Sequence, residues 1–139
     1  MRLFAIWLAM TLAIFGLFAG CYHWYLTNHP RRILVIVESS FPMRPVWPHV
    51  QAEVRNLSDR PYTFFALVTE KERIHGWQSR PDLGTVTPYA PRDIQKFLTE
   101  VARYPELGAA TEIHLLTNAA ELESQSPDGW IVHMLISSD

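Results

Sequence analysis

The chain has 139 residues, with 12 Lys and Arg against 14 Asp and Glu and a net charge of −2 at pH 7. Its longest basic cluster is Arg31-Arg32, so it lacks the electrostatic footprint of a nucleic-acid binder. A single cysteine, Cys21, excludes an intrachain disulfide framework.

Residues 3–26 are apolar except for Thr11, Cys21 and the aromatic, polar-tipped cluster Tyr22, His23, Trp24 and Tyr25. A helix that crosses hydrocarbon needs ~20 residues, and residues 1–27 supply them as a transmembrane anchor in the lipid bilayer. Tyr22, Trp24 and Tyr25 then form an aromatic belt at the membrane interface. A cleaved signal peptide is disfavoured, because its apolar region ordinarily runs about 7–15 residues. The alternative is a lipoprotein signal. Leu17-Phe18-Ala19-Gly20-Cys21 resembles a bacterial lipobox with Cys21 as the lipidated residue, but Phe18 is a poor match and the following Tyr22-His23-Trp24 is bulky. The retained single-pass anchor is preferred.

Gly16 and Gly20 form a GxxxG pair, which lets a second membrane helix approach closely, although glycine is common in such helices without that role. Basic residues nearly balance across the span, with Arg2 on one side and Arg31, Arg32 and the more distant Arg44 on the other. A strict count of these charges leans towards a cytoplasmic domain, whereas the short basic N-terminus leans towards a periplasmic one, the side preferred here.

Residues 28–31 are a short linker containing Pro30, and residues 32–139 form the domain. Five apolar residues in a row, 33–37, mostly β-branched, read as a strand buried on both faces. Glu38-Ser39-Ser40 follows at the carboxyl end of that strand, where open α/β sheets bind ligands. A turn punctuated by Pro42, Pro45 and Pro48 leads into a helix over 46–57, whose Val46, Val50, Val54 and Leu57 share one face. A second strand spans 62–69, and the polar turn Glu70-Lys71-Glu72 carries the chain into an antiparallel strand over 73–77. Arg73, His75 and Gly76 suit that third strand to a sheet edge.

A long loop over 78–90 precedes a helix from Pro91 to about Arg103, with Ile94, Phe97, Leu98 and Val101 on one face. Residues 104–110 read as a loop, 112–117 as a fourth strand and 119–124 as one helical turn. After the turn Ser126-Pro127-Asp128-Gly129, residues 130–136 form the last strand.

The order β-α-β-β-α-β-β defines an α/β domain. With right-handed crossovers, and with strand two on one side of strand one and strand four on the other, the spatial order becomes 3-2-1-4-5, a small open, mostly parallel five-stranded sheet with one helix on each face. Such a sheet is about 20 Å wide and one helix covers only ~10 Å of it. Apolar sheet surface is therefore expected to remain uncovered for a partner or the membrane.

With this order in view, the chain resembles a von Willebrand factor A domain reduced in size. In that family the first strand ends in Asp-x-Ser-x-Ser followed by Met, a metal-ion-dependent adhesion site. The matching stretch here is Glu38-Ser39-Ser40-Phe41-Pro42-Met43. Ala66-Leu67-Val68-Thr69 resembles the family's second strand, and Leu115-Leu116-Thr117-Asn118-Ala119 its fourth. A family threonine aligns loosely with Thr87.

The departures bear on function. Glu38 stands for the first aspartate, Pro42 for a ligand hydroxyl and Asn118 for the second carboxylate. A hard divalent cation wants an octahedral set of oxygens at about 2.1 Å, so Glu38, Ser40, Thr87 and Asn118 are a degenerate set. No metal and no other cofactor is expected. The resemblance implies binding or scaffolding by protein–protein contact.

Other constellations are weaker. Glu38 with Ser39 or Ser40 lacks the G-x-S-x-G turn of a hydrolase, and side chains capping a turn account for them. His75, His114 and His133 fall on three different strands, only the last two adjacent, whereas zinc needs three or four convergent ligands. Trp47, Trp77 and Trp130 are the size a small core needs. Phe41, Trp47, Trp77 and Tyr89 are nevertheless the expected partner-binding side chains of the domain. The sequence thus predicts a non-catalytic accessory or assembly subunit of a larger membrane complex, partnered by integral membrane subunits. A weakly Mg²⁺-dependent binding domain is the contrasting expectation, and a membrane-tethered hydrolase a more distant one.

Overall fold

The computed structural model describes residues 2–136. It divides into two units, Met1–Pro30 and Arg31–Asp139; the last three residues of the domain expected over 32–139 lie outside the described part. The first unit is a single helix, α1 (Arg2–Asn28), long and apolar enough to cross a membrane.

The second unit holds a five-stranded mixed sheet. Its strands are β1 (Arg31–Val37), β2 (Thr63–Thr69), β3 (Arg73–Gln78), β4 (Glu112–Thr117) and β5 (Trp130–Met134). They lie in the order β3-β2-β1-β4-β5, as expected. β1 pairs in parallel with β2 and β4, β4 in parallel with β5, and only β3 is antiparallel. The helices are α2 (Trp47–Ser58), α3 (Ile94–Val101), α4 (Glu106–Ala109) and α5 (Ala120–Gln125).

The uninterrupted apolar run of β1 explains the layering. Ile33, Val35 and Val37 face one way and join Phe65, Leu67 and Leu116 beneath Val50, Val54 and Leu57 of α2. Leu34 and Ile36 face the other way, with Ala66, Val68 and Leu115, beneath Phe97 and Val101 of α3. All five of these β1 side chains are fully buried.

The structure corrects several expectations. The sheet is better covered than the two-helix estimate allows. Met43 and Val46 of a 3₁₀ segment (Phe41–Val46) and Leu83 of the long loop extend the α2 layer. Leu122 of α5 and Leu107 of α4 extend the other. What stays exposed at the sheet is local, chiefly Phe64 and Ile131. The proline-punctuated turn is thus a helical 3₁₀ turn, and the loop expected over 104–110 contains α4. α3 starts at Ile94 rather than Pro91, capped by Asp93, whose side chain accepts a hydrogen bond from the Lys96 backbone N–H at 3.1 Å.

Trp47 is also corrected. It was expected at a partner surface, yet it packs within the α2 core layer. It begins α2 on the same stripe as Val50, Val54 and Leu57, and that stripe faces the sheet.

Candidate functional site

The parallel arrangement brings the carboxyl ends of β1 and β4 side by side. Backbone bonds there continue past the strands: the Glu38 N–H donates to Leu116 O at 3.1 Å. The long loop is tied to the same place. Ser40 pairs with Ala90, Phe41 N–H donates to Ala90 O at 2.7 Å, and Tyr89 N–H donates to Ser39 O at 3.1 Å. A cleft of about 750 Å³ opens at this end, lined among others by Glu38, Ser40, Lys71, Arg92 and Phe97.

Glu38 lies at the floor and is 1 % exposed. A buried carboxylate needs compensation, and the chain supplies it. Arg92 donates from Nε to Glu38 Oε1 at 2.6 Å and from Nη2 to Oε2 at 3.2 Å, a bidentate pair. The Thr117 hydroxyl donates to Oε2 at 2.5 Å, and Ser40 Oγ hydrogen-bonds Oε1. Arg92 Nη2 also donates to the Asn118 Oδ1, and Asn118 Nδ2 holds Pro42 O at 2.8 Å.

Beside this network, Ser39 Oγ donates to Glu70 Oε1 at 3.1 Å and Ser39 N–H donates to Glu70 Oε2 at 3.0 Å. Lys71 Nζ pairs with Glu70 at 3.1 Å and lies 4.3 Å from the centre of the Tyr89 ring. Partial burial, then the charges of Glu72 and Glu70, raise the Tyr89 pKa above the ordinary phenol value.

The residues singled out by sequence are therefore sorted. Glu38, Ser40 and Asn118 converge. Thr87 is exposed and takes no part in their hydrogen-bond network. Phe41 and Tyr89 sit on the two segments joined by the Ser40–Ala90 bridge and remain 44 % and 50 % exposed. Arg44 lies over the Phe41 ring and donates to Pro88 O at 3.2 Å. Trp77 is half-buried against the α3 layer, with Arg32 over its ring. On α1, Gly16, Gly20, Tyr22, Trp24 and Tyr25 are exposed, and nothing lies within 4 Å of where a Cβ on either glycine would stand.

The residues present do not fit a divalent cation. Both oxygens of Glu38 face hydrogen-bond donors from Arg92, Thr117 and Ser40, and the Arg92 guanidinium occupies the space between Glu38 and Asn118. A guanidinium offers donors only and carries its own positive charge. Among the described residues no three His, Cys, Asp or Glu side chains are grouped to hold a metal ion. Nucleophile chemistry is equally ill served. Ser39 and Ser40 are buried, and their side-chain partners are carboxylates and Lys71 rather than an imidazole.

Arg92 is the residue that sequence reasoning missed. It was assigned to the first turn of a helix, but it precedes that helix and reaches back to Glu38. The signal was the carboxylate itself, since a charge at the buried end of a strand requires a cation from somewhere in the chain.

No protein-family model, no curated protein and no solved structure matches the chain.

Proposed function

We propose that this is a single-pass membrane protein whose reduced, von Willebrand A-like domain acts without catalysis, as an accessory or assembly subunit of a larger membrane complex. The observation that carries the reading is the Arg92–Glu38 pair. On the von Willebrand A-like reading, the pair would stand in for the cation of a full domain, and it makes the strand end a self-neutralised support. Around that support the exposed Phe41 and Tyr89 rings, each with a cation alongside, form the contact surface. Aromatic residues are enriched among the anchors of protein interfaces.

In this reading α1 crosses the bilayer with Tyr22, Trp24 and Tyr25 at its interface, Gly16 and Gly20 meet a partner helix, and the domain faces the periplasm. Trp77, half-buried under Arg32 at the amino end of β1, is a contact separate from the Phe41–Tyr89 patch.

The test is isolation of the tagged full-length chain in mild detergent, with its companions identified and quantified by mass spectrometry. A stoichiometric set of membrane subunits is expected, and Phe41→Ala with Tyr89→Ala should deplete it at least tenfold. A chain that isolates alone from native membranes, at every detergent tried, overturns the reading.

A further inference from the structure

A second cluster of titratable groups lies on the α2 face of the sheet, away from the strand-end cleft. Glu112 Oε2 is 3.3 Å from His114 Nε2, His114 Nδ1 is 2.8 Å from His133 Nε2, and His133 Nδ1 is 3.2 Å from Glu53 Oε1. The four side chains form an unbroken row from β4 through β5 to α2. His114 is 1 % exposed, while the outer members are about a quarter exposed.

Counting protons decides what this row can be. It has three gaps, two of hydrogen-bond geometry and one, His133–Glu53, at ion-pair distance, and each needs one proton between its two heavy atoms to be attractive. Two neutral imidazoles carry only two N–H groups, and ionised carboxylates carry none. With both rings neutral, one gap is left with two lone pairs facing each other. With both rings protonated, two N–H groups meet head-on across the 2.8 Å His114–His133 contact. Only a single extra proton closes all three gaps.

We propose that His114 and His133 share one proton as a latch, fastening the edge strand β5 to α2 when the pair is singly protonated and loosening it when that proton leaves.

The surroundings fit. Asn56 Nδ2 donates to the other oxygen of Glu53 at 3.3 Å, and His49 stands one turn earlier on α2. From the segment after α2, Arg60 pairs with Glu112 at 2.8 Å, and Arg31 of β1 lies 3.9 Å from the same carboxylate. Among the described residues no hydrogen bond or ion pair joins α5, on the opposite face of β5, to the row. Desolvation raises Glu112, but hydrogen bonds from His114 and Arg60 and the Arg60 charge outweigh it, so its pKa lies below the ordinary value and the carboxylate stays ionised. Burial holds the His114 pKa below the ordinary imidazole value, against the opposing bond to Glu112 and with the His133 charge adding to burial. The second proton is therefore resisted, and a charge shared by the pair is better solvated on the more exposed ring, His133 at 24 % against His114 at 1 %.

The sign follows. Stability from the shared proton is in place at mildly acidic pH and lost as pH rises and the pair gives the proton up. The unfolded chain, with two ordinary histidines, binds two protons below about pH 6.5 where the folded row accepts one, so stability also falls on the acid side. The latch predicts a bell.

Glu53→Gln separates this from an ordinary histidine effect. A glutamine amide donates an N–H to His133 Nδ1, so the neutral row then closes without an extra proton. The experiment is thermal unfolding of the full chain in detergent between about pH 5 and 9, beside ¹⁵N spectra of the imidazole rings. Wild type should lose about 4–8 °C of Tm on the alkaline side, the size of one net hydrogen bond in a domain of this length. Glu53→Gln should lose none of it. At about pH 6.5 the wild-type spectra should show His133 protonated on both nitrogens and His114 bare at Nδ1. An alkaline fall that persists in Glu53→Gln overturns the latch. If that variant fails to fold, two neutral rings in the wild-type spectra at the same pH overturn it equally.

Discussion

Glu38 and Arg92 are joined by the short rigid fork of a guanidinium on a carboxylate, one partner 1 % and the other 23 % exposed at the side chain. Removing one member of such a pair leaves an uncompensated buried charge, which costs about 3–5 kcal/mol. Arg92→Ala should therefore destabilise the full chain by about that amount in denaturant unfolding, and Arg92→Lys by less, because it keeps the charge and loses the fork. A loss below about 1 kcal/mol for Arg92→Ala would mean that Glu38 is held by Ser40 and Thr117 alone. Millimolar Mg²⁺ should leave the wild-type Tm unchanged, since the donors around Glu38 leave it no free face. Trp47 carries a different expectation from its surface neighbours. Trp47→Ala should cost about 3–5 kcal/mol by opening the α2 layer, while the companions captured per folded chain stay the same.

Among the elements, β3 shows how a glycine serves an ion pair. Arg73 crosses the strand to reach Glu106 at 2.5 Å, and a Cβ on Gly76 would lie 2.3 Å from its Nη2. Gly76 thus keeps the path open by size, not by backbone conformation. Glu106 is 3 % exposed and its Oε2 has no hydrogen-bond partner, so Arg73 is what neutralises it. Gly76→Ala should push the guanidinium aside and cost about 1–3 kcal/mol, the penalty of a buried acceptor losing its donor. Arg73→Ala should cost a similar amount. The double variant should cost no more than either, because both remove one interaction, and additive losses in a double-mutant cycle would refute that link.

The elements that could be read from sequence are those with a strong period or run. Ile33–Val37 announced a central strand by five buried side chains, and the Val50-Val54-Leu57 stripe announced α2. The strand order followed once strands two and four were set on opposite sides of strand one. α4 could not be read, since Glu-Leu-Gly-Ala offers one large apolar side chain and a glycine, and tertiary contact through Leu107 sustains it. Three site residues, Glu38, Ser40 and Asn118, were legible because they stand just past strand ends, where sites form. Arg92 was not, because a bond between positions 38 and 92 leaves no trace in local pattern.

For the whole molecule, the division at Pro30 sets the last expectation. Every buried core side chain, from Ile33 to Leu122, belongs to the second unit. That unit contains both layers of its own core, so the chain lacking residues 1–28 should remain folded and unfold in one cooperative step. The full chain should stay with membranes through high-salt and alkaline washes, as an apolar helix of this length does, and the shortened chain should not. Retention alone does not distinguish a spanning helix from a lipid attached at Cys21, so the decisive variant is Cys21→Ser. A spanning helix holds by the transfer of ~20 apolar residues and is indifferent to one thiol. A lipidated chain depends on that sulfur for its acyl anchor. Cys21→Ser should therefore remain in the washed membrane at the wild-type level and at the wild-type mass less one sulfur-for-oxygen exchange. A wild-type mass showing residues 1–20 removed and an acyl group on Cys21, both lost in Cys21→Ser, would replace the spanning helix by a lipid anchor while leaving the domain and its strand-end pair as they are.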